Sequence, residues 1–314
     1  MDSYPSFKLD DQWIRSQRPE KNRADPFKPY AYHTEKEFYS SGRVEDVTTI
    51  FLTNRECPFN CLMCDLWKNT TDIKVPVGAI PQQIEFALNN SPKAKHLKLY
   101  NSGNFFDQQA IPIDDYPDIA LIVSEFETVI VESHPKMITP GILNFRKLLK
   151  PELQIALGLE TIHPEVLPLL NKRMVISDFE KAIFFLNENK ITTRAFILLR
   201  PPFLSEKEGI SWAKRSIEFA FKLGVECCVV IPTRKGNGAI DWLEKNKFFT
   251  SPDIDSLEKV VEFGLDLKLG RVFSDLWDIE LFSNCNNCIN ARKTRLENMN
   301  LYQKKLPIVS CSCM

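Results

Sequence analysis

From Val47 to Ile231 the chain alternates short apolar, β-branched runs with amphipathic stretches, and this alternation limits the possible folds more than any other feature. The runs are Val47–Thr53, His96–Asn101, Thr128–Glu132, Gln154–Gly158, Thr193–Leu199 and Glu226–Ile231. Between them lie Pro81–Asn89, Pro117–Phe126, Thr139–Lys150, Ser177–Asn189 and Ser205–Leu223, each with apolar residues at helical spacing. A repeat of about 30–35 residues per strand–helix unit means parallel strands joined by crossover helices. Six such units suit an α/β fold, a partial (β/α)6 TIM-like barrel, although a doubly wound open sheet has the same periodicity. No Gly-x-Gly-x-x-Gly turn follows the first run, which disfavours the dinucleotide-binding version of that sheet. Ser177 with Glu180, and Ser205 with Glu208, resemble capping boxes, and Gly224 is a good helix stop.

The flanks read differently. Residues 1–45 are polar, carry Pro5, Pro19, Pro26 and Pro29, and show no sustained period, so they are expected to form an irregular extension, disordered in part at its start. The barrel core is expected over 46–237. Residues 238–314 are expected to form a helical and Cys-rich region, with a helix around Asp253–Leu269 and then a small metal-binding subdomain. A net charge of −1 supplies no global basic field for nucleic acid, and no run approaches the ~18 apolar residues of a membrane span. Nine cysteines behind a polar N-terminus point to a reducing cytoplasm, where clustered cysteine means metal more often than disulfide.

The first run leads directly into Cys57-Pro-Phe-Asn-Cys61-Leu-Met-Cys64. Three thiolates at Cys-x3-Cys-x2-Cys spacing can hold three corners of a 4Fe–4S cubane and leave the fourth iron without a protein ligand. An open iron is a place for chemistry. The competing reading is one part of a structural zinc site, which usually uses paired Cys-x2-Cys knuckles.

In parallel α/β barrels the reacting groups collect on loops at the C-terminal ends of the strands. Each expected strand here does run into polar residues. They are the three cysteines, then Asn101-Ser-Gly-Asn-Phe-Phe-Asp107, Glu132-Ser-His134, Gly158-Leu-Glu160-Thr, Arg200-Pro-Pro-Phe203 and Pro232-Thr-Arg-Lys-Gly236. Glu160 suits ribose hydroxyls, or else pairs with a neighbouring Arg. Arg194 and Arg200, at the two ends of the fifth run, can each pair bidentately with a carboxylate of cofactor or substrate. His134 lies on the same rim and is a candidate substrate contact, whereas His96 and His163 read as structural. Cys227 and Cys228 lie inside a run and read as packed thiols.

A second constellation closes the chain: Cys285-Asn-Asn-Cys288 and Cys311-Ser-Cys313. Four thiolates complete a tetrahedral zinc site or a second, auxiliary 4Fe–4S cluster, and spacing does not choose between them.

The cysteine loop resembles the signature of the radical S-adenosylmethionine superfamily. More locally, Lys98–Asp107, Val131–Ser133, Ala156–Thr161, Leu198–Phe203 and Ile231–Thr233 are similar to one branch, the radical subunit of archaeosine synthase and its uncharacterised bacterial relatives. The resemblance covers about residues 45–240. It implies that Cys57, Cys61 and Cys64 hold the cluster and that S-adenosyl-L-methionine chelates its open iron. Asn101, Ser102 and Gly103 then stand where the superfamily binds the methionine ammonium, with Glu132 available as its carboxylate, unless they form only a strand-to-loop turn. The implied reaction is reductive cleavage of the cofactor to a 5′-deoxyadenosyl radical that abstracts hydrogen, with electrons from a ferredoxin- or flavodoxin-type donor. The substrate stays open between a modified nucleoside or tRNA and a peptide or small molecule. A non-enzymatic zinc- or RNA-binding module would explain the tail but not six polar strand ends.

Overall fold

The computed structural model describes residues 4–313 of the chain, so the disorder expected at its very start lies outside the described residues. One sheet organises it, with eight strands in the order β1 to β8. These are β1 (Ala31–Phe38), β2 (Val44–Leu52), β3 (His96–Asn101), β4 (Thr128–Ser133), β5 (Glu152–Glu160), β6 (Thr192–Leu199), β7 (Cys227–Pro232) and β8 (Arg271–Ser274). β1 is antiparallel to β2, and every later pair is parallel. The six runs of the sequence are β2 to β7. The sheet extends past both of them: β1 comes from the N-terminal segment and β8 from the region after residue 238.

The helices are α1 (Asp11–Ser16), α2 (Ala79–Asn89), α3 (Tyr116–Ile122), α4 (Ile142–Leu148), α5 (Val166–Leu169), α6 (Ile176–Glu188), α7 (Glu206–Lys222), α8 (Ala239–Lys245), α9 (Ile254–Leu267) and α10 (Ile289–Tyr302). Local signals set their ends. Ser205 and Glu208 form the expected capping box of α7, and Gly224, at φ +89°, follows its last turn. The Ser177–Glu180 expectation is displaced by two residues. α6 begins at Ile176, and the Asp178 carboxylate accepts the Val175 N–H at 3.0 Å. Among the described residues no helix is long and apolar enough to cross a membrane.

Side chains alternate across the sheet. Ile50, Leu52, Leu97, Leu99, Val129, Val131, Ile155, Leu157, Ala195, Ile197 and Val230 face the helices and form the main core with residues such as Ile80, Ile84, Phe145, Phe179 and Ile183. The opposite face carries Lys98, Tyr100, Gln154, Arg194, Phe196 and Cys227, and the sheet curls around it. Curling brings β1 across to β6 and β8: Glu37 pairs with Arg194, and Arg271 Nη1 donates to the Phe38 carbonyl at 2.7 Å. α10 packs against β1 and β8 together.

The strand N-terminal ends are thereby filled with charge. Lys98 Nζ lies 2.6 Å from Glu37 and 3.0 Å from Glu35, and Arg271 Nη2 lies 2.7 Å from Glu226. Tyr39 stacks on His96, itself 3.0 Å from Glu45. Removing one member of such a buried network leaves an unpaired charge and costs about 3–5 kcal/mol. This end is a structural plug, which leaves the opposite rim for chemistry.

Candidate active site

The chain leaves β2 at Leu52 and is pinned before it reaches the cysteines. Gln83 on α2 accepts the Thr53 N–H and donates to the Thr53 carbonyl, both at 2.8 Å. Arg55 and Thr71 bridge across the base of the loop, with Glu56 N–H bonded to the Thr71 carbonyl. Within the loop, Leu62 is fully buried in a small core with Leu9, Ile14, Leu170 and Ile240. Asn237 Nδ2 donates to the carbonyls of Leu62 and Cys64, Trp67 Nε1 also donates to Cys64, and Asn171 Nδ2 donates to Asn60. Asn60 Oδ1 accepts from Arg15 and Arg18 of the N-terminal segment. The loop is therefore held by α1, by residues 170–171 and by the start of α8. Its shape is preformed.

Burial pushes the Cys57, Cys61 and Cys64 thiols up to about 12. The Lys172 ammonium opposes this shift at Cys57 and Cys61. Three clustered thiols kept neutral by burial are poor nucleophiles. As metal ligands they lose their protons to the ion, and the donor set fits an iron–sulfur cluster.

Beside them runs the turn after β3. Gly103 has φ +130°, and a Cβ there would meet Cys57 Cβ at 2.6 Å and Cys57 Sγ at 2.8 Å. Only bare backbone fits. Ser102 is fixed by Asn54 Oδ1, which accepts its N–H, and by the Leu66 carbonyl, which accepts its hydroxyl. Asn101 differs: both polar atoms of its side chain are buried and find no partner among the described residues. A buried amide without partners costs free energy unless a ligand answers it. Glu132 Oε1 accepts the Asn101 N–H at 2.7 Å, and burial raises the Glu132 carboxyl to about 8 against the pull of that N–H and of Lys172.

On the other side, Glu160 ends β5 at φ +63° beyond a bulge at Gly158. Its carboxylate lies 2.7 Å from Lys172 Nζ, both side chains buried. A side chain at Gly158 would strike both partners, so the glycine makes room for the pair. His134 stacks on Phe59 of the cysteine loop, ring centroids 3.9 Å apart. The His134 N–H donates to Asn104 Oδ1, and Asn104 Nδ2 reaches Cys57 Sγ at 3.5 Å. His134 Nδ1 accepts the Lys136 N–H and Nε2 faces the Lys172 carbonyl, which fixes Nε2 as the protonated nitrogen. Burial lowers this imidazole to about 3, so it is a neutral wedge behind the loop.

Not all expected site residues meet here. Arg194 is buried at the plugged end, in a bidentate pair with Glu37, and its guanidinium has no free edge toward the rim. Arg200 is drawn to the Leu204 carbonyl, the Glu206 carboxylate and the Ser251 carbonyl, so it ties down the β6–α7 connection. Lys172, Asn104, Asn54 and Phe59 gather around the same loops; Phe59 and Asn104 lie within the two motifs without standing out in them, and Lys172 and Asn54 carry no motif. The closest signal was the Asn-rich turn, which contains Asn104. Cys227 and Cys228 are fully buried packing residues on opposite faces of β7. His96 and His163 are structural, His163 accepting the N–H groups of Glu165 and Val166. The four tail cysteines converge, with Cys285 Sγ 3.7 Å from Cys311 Sγ and Cys288 Sγ 3.6 Å from Cys313 Sγ.

A cavity of about 570 Å³ opens beside Cys57, lined by Arg15, Arg18, Lys21, Arg55, Glu56 and Trp67 among others. Its cations are largely answered within the protein, Arg18 and Lys21 by Glu56 and Arg55 by Gln109.

Known proteins are similar to this chain in sequence and in fold. No protein-family model matches the chain. An uncharacterised protein of Methanocaldococcus jannaschii is 26% identical, over 92% of this chain and 86% of its own. Archaeosine synthase subunit beta of Thermococcus kodakarensis is 26% identical over 50% of this chain, and the match spans only 51% of that subunit. Streptococcus suis SuiB, solved with S-adenosylmethionine bound, superposes with a TM-score of 0.53 at 13% identity, over 73% of this chain and 49% of its own. The chain shares its fold with that S-adenosylmethionine-binding protein. On this fold the chain carries its three-thiol loop directly after β2. β2, the first of the parallel strands, presents Cys57, Cys61 and Cys64 at its C-terminal end.

Proposed function

We propose that this enzyme binds a 4Fe–4S cluster on Cys57, Cys61 and Cys64 and S-adenosylmethionine against the turn after β3, and that it takes a hydrogen atom from a nucleoside of tRNA. The observation that carries the site is the junction of the two loops: Cys57 of the three-thiol loop packs on a side-chain-free Gly103, next to an Asn101 amide with no partner among the described residues. Bound there, cluster and cofactor supply one-electron carbon–sulfur cleavage and the carbon radical that attacks substrate.

The chain's own residues bind and orient. Cys57, Cys61 and Cys64 hold three irons. Asn101, with the backbone of Ser102 and Gly103, receives the polar methionine end, and Glu132 offers a carboxylate to its ammonium. Glu160 faces a ribose while Lys172 holds it in place. Phe51, Tyr100 and Phe196 form an aromatic band on the inner face, centroids 6.2 and 6.1 Å apart, that keeps water from the reacting atoms. Arg194 and Arg200 have no part in cofactor binding in this reading. Electrons come from a ferredoxin- or flavodoxin-type donor.

The archaeosine synthase relatives support tRNA as the substrate. A peptide or small molecule is the second reading. It is favoured by the mostly paired cations of the cavity beside Cys57 and by a net charge of −1. Deoxyadenosine formation by the reconstituted, dithionite-reduced enzyme, with and without bulk tRNA, separates the two. Stimulation by tRNA, together with a nucleoside of changed mass, is the expected result. Equal rates and unchanged nucleosides would reject the tRNA reading.

A further inference from the structure

The chain end folds back onto the start of α10. Cys285 and Cys288 sit on the turn that leads into α10, with Cys288 at its N-cap, and Cys311 and Cys313 approach from the tail. Arg295 on α10 guides that approach, its Nε donating to the Pro307 carbonyl at 2.7 Å and its Nη2 to Leu306 at 2.6 Å. Lys305 adds a contact to Glu262 on α9 at 3.4 Å. All four sulfurs lie within 4.8 Å of one another, and the two cross pairs are at 3.7 and 3.6 Å.

These separations discriminate between the two metal centres the spacing allows. A tetrahedral ion with Zn–S bonds of about 2.3 Å sets its ligand sulfurs about 3.8 Å apart. A 4Fe–4S cubane lies between its four cysteine sulfurs and spreads them to roughly 6 Å. Thiols already inside 4.8 Å have room for one ion and none for a cubane. We propose that Cys285, Cys288, Cys311 and Cys313 bind a single zinc ion in a closed, four-sulfur structural site. With four protein ligands the ion keeps no open position for catalysis. Its place in the fold assigns its work: α10 packs on β1 and β8, the two edges of the curled sheet, and the ion fastens the N-terminus of that helix to the chain end.

The inference is independent of the reaction proposed above. Its test is metal analysis of the full chain, purified anaerobically, as wild type, as Cys57→Ala/Cys61→Ala/Cys64→Ala and as Cys311→Ser/Cys313→Ser. About one zinc per chain is expected in wild type and in the triple variant, falling to under about a tenth in the tail variant. Zinc-edge X-ray absorption of the wild type, which needs no variant to fold, should show four sulfurs near about 2.3 Å. Iron and sulfide retained by the triple variant would overturn the proposal in favour of an auxiliary cluster. A metal-free tail, whether as free thiols or as two disulfides, would overturn it as well. Zinc in the tail with no iron in the loop would support this site while counting against the proposed reaction.

Discussion

Gly103→Ala is the sharpest single perturbation of the site, because the structure states what the added methyl meets. Its carbon would stand 2.6 Å from Cys57 Cβ and 2.8 Å from Cys57 Sγ, where ordinary contacts are about 3.5–4 Å. Something must move by about 1 Å, and the neighbour is a proposed cluster ligand. Two costs add. A non-glycine residue at φ +130° carries about 1–3 kcal/mol of backbone strain, and overpacking a filled site typically adds about 1–3 kcal/mol. Gly42→Ala separates them, because Gly42 also has positive φ, at +76°, but a methyl there meets nothing within 4 Å. Thermal unfolding and iron content after anaerobic reconstitution are the two readings. Gly42→Ala should lose only the strain and keep its iron. Gly103→Ala should melt lower and lose most of its iron and its deoxyadenosine formation, since relief comes by displacing Cys57. Iron binding by Gly103→Ala equal to that of wild type would refute the packing argument.

Three further outcomes are expected. Lys172→Met leaves Glu160 buried without its cation, which costs about 3–5 kcal/mol, and a double Lys172→Met/Glu160→Gln variant should recover part of that loss in urea unfolding. For Glu132, burial holds the folded carboxyl near 8 while the unfolded one ionises near its ordinary value. The folded state thus keeps a proton that the unfolded chain has released, so this residue's contribution makes stability fall as pH rises from about 4 to about 8 and level off above. Glu132→Gln should flatten the slope, measured as wild type minus variant on metal-free protein; an unchanged slope would remove Glu132 from the buried rim. Glu37→Gln should unfold at lower urea by disrupting the Arg194 and Lys98 pairs, while the folded fraction binds S-adenosylmethionine as wild type does; lost cofactor affinity in a stable variant would return Arg194 to the site.

What the sequence showed and hid follows from the range of each interaction. β2 to β7 were readable because their helix-facing residues are apolar at alternate positions, from Ile50 and Leu52 to Val230, within short β-branched runs. β1 was not, since Ala31–Phe38 buries Glu37 and sets the exposed Glu35 against Lys98, and such a segment reads as polar until Lys98 and Arg194 are seen opposite. The same pairing explains the Arg194 expectation. A strand-borne arginine looks available for a ligand carboxylate when its partner lies far away in the chain. Arg200 is engaged more locally, its guanidinium drawn to Glu206 at the start of α7. Glu160 met a lysine rather than the arginine suggested by sequence, and Lys172 itself follows a short helix with nothing to mark it. The cysteine loop and the Asn101–Gly103 turn were visible because their constraints are local: ligand spacing in one, bare backbone in the other.

The most direct measurement on the central claim is iron counting with a dithionite-driven deoxyadenosine assay, on wild type and on Cys57→Ala/Cys61→Ala/Cys64→Ala side by side. The account predicts about four irons and deoxyadenosine from the wild type, and neither from the variant. Deoxyadenosine formed by the triple variant, or a colourless wild type holding zinc alone, would contradict it.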